Sequence, residues 1–136
     1  MCPDAIEEEV KLLQATGVPV DLLSEEGQCY ARVMELPAPS PPWDRTRYDI
    51  LVAVPAAYDF GGLDAFYLGL PYQFEGGTHP RVDNGAIITL EGRQWRLVSW
   101  HYADGKPWVR GQDNLASHIE HCKGFFLGRG ATNDYR

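Results

Sequence analysis

The run YDILVAV, residues 48–54, restricts the fold more than any other stretch. Ile50 to Val54 are apolar without alternation, so a strand there buries both of its faces. Pro55 stops it, because proline donates nothing to a ladder. Such a strand belongs inside a sheet, and the chain offers it neighbours at Gln28–Leu36, Ala65–Leu70, Ala86–Leu90 and Gln94–Tyr102. In Gln28–Leu36, Tyr30, Met34 and Leu36 share one side and Cys29, Ala31 and Val33 the other. Both sides are partly apolar, which predicts a central position in an antiparallel sheet. Glu91-Gly92 predicts a hairpin between the last two strands. In the final one Trp95, Leu97 and Ser99 face one way, and Arg96, Val98 and Trp100 the other. Val18–Gly27 reads as a short apolar patch and an acidic turn, and PAPSPP (37–42) as an extended surface connection.

Helices flank the strands. Asp4–Thr16 is predicted helical, with Asp4 and Glu7 in a capping-box arrangement. Ile6, Val10 and Leu13 form its buried stripe, Glu7, Glu8 and Glu9 its solvated face, and Gly17 its end. A second helix is predicted from about Asp113, with that acid in its first turn. Leu115, Ile119, Cys122 and Phe126 make its apolar face, and Gly128 and Gly130 mark its end. Strands run between helices, so the fold class is α+β: a meandering antiparallel sheet of four to five strands with helices packed on one face. One domain over residues 1–136 is expected, with an ordered core over about 4–127 and a frayed tail.

The formal charge of −7 argues against partners that need a basic face, namely nucleic acid and anionic membranes. No apolar run is long enough to span a bilayer. The three cysteines, at 2, 29 and 122, form no CxxC and no even framework, which predicts free thiols in a reducing cytoplasm. No cofactor is expected.

Chemistry is expected where the last strand meets the last helix. His101 stands at the strand end beside a turn carrying Asp104-Gly105 and Lys106-Pro107, a common position for a titratable functional group. Ser99 lies two residues earlier, on the same face of a strand, within reach of a base. Asp104 or Asp113 could orient the imidazole. Trp100, Tyr102 and Trp108 surround it as candidate partner contacts. Cys122 is the nearest thiol, but it sits in the core stripe of the helix, where a thiol behaves as a small hydrophobe. His118 and His121, three apart on one helix, give an alternative reading as a metal-binding protein or metal-dependent hydrolase, although two exposed helix histidines are the simpler account of them.

The order of elements and several signposts resemble the ubiquitin-conjugating (UBC) fold, in one divergent bacterial branch, the prokaryotic ubiquitin-conjugating-like family E. The DILVAVPAAYDFGGLDAFYL stretch is similar to that fold's strand, "YP..PP" turn and next strand; Tyr58 keeps the tyrosine and Asp59 replaces the proline. WRLVSWH is similar to the family's strand end. Trp108, Gly111, Asp113 and Leu115 match a W-x-x-G-x-D-x-L pattern at the helix start. The likeness covers roughly residues 4–127. It implies a role in ubiquitin-like conjugation with two partners, an activating-type enzyme and a ubiquitin-like protein; family E genes occur beside genes for these and for a JAB-type metallopeptidase. It also implies a thiolate acyl carrier ahead of the long helix. This chain departs there: no cysteine lies between Cys29 and Cys122. His79-Pro80-Arg81 lacks the asparagine that would hold an oxyanion. The catalytic candidates are therefore His101, Ser99, Cys122 and Asp113, and the alternative is a non-catalytic UBC-like binding subunit.

Overall fold

The computed structural model describes residues 2–102 and 105–128. Three helices, α1 (Asp4–Ala15), α2 (Pro80–Asp83) and α3 (Leu115–Phe126), accompany six strands: β1 (Val20–Glu25), β2 (Gln28–Pro37), β3 (Arg47–Val54), β4 (Phe66–Gly69), β5 (Ile87–Leu90) and β6 (Arg93–Val98). All pairings are antiparallel, in the order β1-β2-β3-β4-β6-β5. The predicted α+β class holds. The meander holds only through β4, because the last hairpin enters by β6 and leaves β5 at the edge. The frayed tail predicted for 131–136 and Asp104, a candidate to orient His101, lie outside the described residues. No helix among the described residues is long and apolar enough to cross a membrane.

β3 meets its expectation directly. Ile50, Val52 and Val54 enter the large core between sheet and helices, while Leu51 joins Trp95 and Leu90 on the opposite face. The Arg93 guanidinium lies 4.7 Å above the Trp95 ring and helps shield it. The large core takes Ile6 and Val10 from α1, and Leu115, Ile119, Cys122, Phe125 and Phe126 from α3.

Several expectations are corrected. β1 occupies what reads as a patch and a turn. Its Asp21 is no loop acid but pairs with Arg32 of β2 at 2.7 Å, and only Glu26-Gly27, both at positive φ, form the turn. In β2 a bulge at Met34-Glu35 sets two residues against Asp49 alone, between the Val33↔Ile50 and Leu36↔Tyr48 pairs. The extra residue rotates Leu36 into the core beside Val33 and Ala31, away from Tyr30. α1 begins after Pro3 with no side-chain cap, so the Asp4 capping box does not form. Cys2 and Cys29 are joined in a disulfide, correcting the expectation of free thiols; only Cys122 is free. Spacing could not reveal this, because the pairing depends on the β1-β2 hairpin returning beneath the start of α1.

β6 ends at Val98, four residues before the predicted Tyr102. Its partner β4 begins at Phe66, opposite Val98, so no ladder remains for Ser99 onward. Ser99 N–H donates to the Arg81 carbonyl of α2 instead, at 3.1 Å.

Candidate functional site

The β4-β6 register runs the residues just before Phe66 alongside those just after Val98. Two histidines tie these segments together. His101 Nδ1 stands 3.0 Å from each carboxylate oxygen of Asp64. His118, from α3, bridges the next residue of each segment. Its Nδ1 is 2.7 Å from the Tyr102 hydroxyl and its Nε2 is 2.8 Å from the Ala65 carbonyl oxygen.

The partners fix the protons. A carboxylate only accepts, so His101 Nδ1 carries a proton, and in the neutral ring Nε2 presents the lone pair. Nε2 has no hydrogen-bond partner among the described residues. The Ala65 carbonyl likewise requires a proton on His118 Nε2, leaving Nδ1 to accept from Tyr102. His118 is fully buried, and burial lowers its pKa to about 4, against the smaller raising effect of the Ala65 bond. Burial also raises the Tyr102 phenol, keeping it a donor. His101 differs: its side chain is 41% exposed and that of Asp64 59%, so this pair is open to water and to a ligand.

Both faces of the pair look onto a shallow hollow of about 570 Å³ walled by Leu63, Asp64, His101, Tyr102, Pro107 and Trp108. The Trp108 indole lies flush against Gly62, where a Cβ would come within 2.4 Å of the indole Cγ. Its edges meet Tyr58 and Tyr102 at 6.2 and 6.1 Å between ring centroids. Tyr58 donates to Glu9 at 2.9 Å, and Glu9 accepts the Leu115 backbone N–H at 2.7 Å. Glu9 thus places a negative charge on the positive end of α3, where the helix dipole favours it. Asn114 and Ser117 complete that end as a capping box.

The same path from α1 through sheet to α3 is what the family comparison covers. A model of prokaryotic E2 family E matches residues 6–126. The chain belongs to that family. No curated protein and no solved structure gives a match.

Within this family E protein the predicted site residues separate. His101, Tyr102 and Trp108 share the hollow. Ser99 does not join them; it lines another depression with His79, Arg81 and Asn84, because the chain has already left the strand geometry that would set i and i+2 side by side. Asp113 does not touch His101. It accepts from the Val109 N–H at 2.7 Å and from the Ser117 hydroxyl at 3.2 Å, tying the turn to α3. It precedes the Asn114 cap, so the first turn of α3 contains no acid. Cys122 is wholly buried and its thiol pKa is pushed well up, which suppresses the thiolate. Trp100 is 2% exposed; it donates to the His121 carbonyl at 2.7 Å and packs in the core, so it is not a surface contact.

The helix histidines are also not the exposed pair predicted. His118 is sealed with both ring nitrogens bonded, and His121 is half-buried and stacked on Tyr102 at 4.1 Å. Among the described residues no group of three histidine, cysteine or carboxylate side chains is placed to hold a metal. His79 caps α2 through Nδ1 and stacks on Trp43.

Sequence reasoning gave Asp64 and Gly62 no role, placed Glu9 on a solvated face and met Tyr58 only as a motif tyrosine. Asp64 had one usable signal, an acid two residues before a strand. It gains meaning only once that strand is paired with β6 in the observed register.

Proposed function

We propose that this protein is the conjugating-type component of a bacterial ubiquitin-like conjugation system. It acts with an activating-type enzyme and a ubiquitin-like protein, and it meets the activated C-terminus at the His101 hollow rather than at a cysteine. The observation that carries the reading is a family match extending from α1 to the end of α3, the element behind that hollow. Tyr102 and Trp108 supply apolar walls for a slender extended chain end, and the His101–Asp64 pair supplies a polar group at its tip. Asp113 and Ser117 hold the turn that carries Trp108.

A second reading, a binding subunit that carries no acyl group, is favoured by the burial of Cys122 and by the separation of Ser99 from His101. One experiment addresses both. The protein is incubated with a bacterial ubiquitin-like protein and an activating-type enzyme, with ATP, and resolved by size exclusion and intact mass. A stable ternary complex is expected. Co-elution without any adduct, even after rapid acid quenching, supports the binding subunit; failure of all three to associate removes both readings.

A further inference from the structure

We infer that His101 Nε2 is itself an acyl-accepting nucleophile, oriented by Asp64, for activated carboxyl groups of the thioester or activated-ester class. The inference rests on the conjugation reading only for the identity of the natural acyl donor. Three observations carry it.

The first is position. His101 offers the one unshared nucleophilic atom among the described residues lining the hollow. The Tyr102 hydroxyl there is committed to His118, both Asp64 oxygens to His101 Nδ1, and the remaining walls carry no hydroxyl, thiol or amine. The second is orientation. Both Asp64 oxygens stand 3.0 Å from Nδ1, which in the neutral ring holds the proton on that nitrogen and leaves the lone pair on Nε2. The third is contrast with the alternatives, since Cys122 is sealed in the core and Ser99 opens elsewhere.

The step balances without any further reagent. Nε2 attacks the carbonyl carbon of a thioester, the new C–N bond forms, and the C–S bond breaks as thiolate leaves. The acylimidazolium then loses its Nδ1 proton, by way of Asp64 or water, to that thiolate, giving a neutral acylimidazole and a thiol. An amine next attacks the same carbonyl; the C–N bond to imidazole breaks, and the amine's proton returns to the ring. Acylimidazoles are reactive acyl donors, so the transfer proceeds to the amide. Asp64 is a positioning residue: it touches neither acyl group nor amine.

The test uses the full chain with p-nitrophenyl acetate at pH 7.5, following p-nitrophenolate release and intact mass. Expected is a single acetyl group lost in neutral hydroxylamine, with release slowed at least about tenfold in His101→Gln. Asp64→Asn should give an intermediate rate together with a changed His101 tautomer in imidazole nitrogen-15 spectra, a readout that a merely structural role would not move. His121→Gln should match wild type. Equal rates in wild type and His101→Gln overturn the inference. So does a His101-dependent rate that leaves no acetylated protein and carries a large solvent isotope effect, which would make the ring a general base. The assay contains no ubiquitin-like protein, so its failure leaves the conjugation reading standing, and loss of partner binding leaves this assay unaffected.

Discussion

His101 and His118 are held by the same two short segments, yet they live in opposite environments. Asp64 and Ala65 face His101 and Tyr102, and one imidazole serves each neighbouring pair. The wet pair joins an exposed ring to an exposed carboxylate. The dry one joins a fully buried ring to a carbonyl and a phenol. Bonds of similar length thus do different things. In the dry case an unmade bond leaves a buried polar group without compensation, so the contact holds the fold together. In the wet case water replaces a lost partner, so the contact sets the orientation of a reactive nitrogen and contributes little to stability.

The comparison can be broken by substitution, starting with the dry side. His118→Ala should cost about 3 kcal/mol or more, because it leaves a cavity and strands the Tyr102 hydroxyl and the Ala65 carbonyl. Urea denaturation measures this, and a loss below about 1 kcal/mol would show that the dry bonds are dispensable.

Acid sharpens the contrast. The folded pKa of His118, about 4, lies below its unfolded value near 6.5. The unfolded chain therefore binds its proton first. The stability from this residue is fully present above about pH 6.5 and is lost as pH falls toward 4. A loss of a few kcal/mol is expected from this group across that window. The measurement is the difference between wild-type and His118→Gln stabilities at pH 7 and pH 4; parallel curves would refute it.

Glu9→Ala tests the support behind the hollow. Removing the carboxylate deprives both the Tyr58 hydroxyl and the Leu115 N–H of their partner, for an expected cost of about 2 kcal/mol in chemical denaturation. Gly62→Ala drives a methyl group into the Trp108 ring and should cost about 1–2 kcal/mol with a change in tryptophan fluorescence. An unaltered emission spectrum would mean that the indole does not lie on Gly62. The smallest effect belongs to the wet pair: His101→Gln should shift stability by less than about 0.5 kcal/mol while slowing p-nitrophenolate release at least about tenfold. A collapse in melting temperature would put His101 in the same structural class as His118.

How much of this could be read in advance differs between fold and site. The β3 run, the β5-β6 hairpin and the apolar face of α3 were legible because each depends on residues close in sequence, where period and turn chemistry speak directly. The bulge at Glu35 was not, because one added residue inverts a strand's facing without altering its composition. At the candidate site, His101 and Trp108 stand out in the sequence as polar and aromatic punctuation between strand and helix. Their partners do not, because Asp64 stands 37 residues from His101 and Glu9 stands 106 from Leu115. Glu9 read as one of three solvated acids, and only the α3 end packed against it makes it a cap.

The sequence by itself determined that strands lie between two helices, that the third strand is buried on both faces, and that no cysteine stands between Cys29 and Cys122. These are properties of local pattern and of residue identity. Tertiary structure alone decided which histidine is wet and which dry, that Cys2 meets Cys29, and that Ser99 and His101 part company. Burial and partnership are set by what the rest of the chain brings to a residue, and the β4-β6 register, which pairs Phe66 with Val98, far apart in sequence, is what brings Asp64 and Ala65 to these histidines.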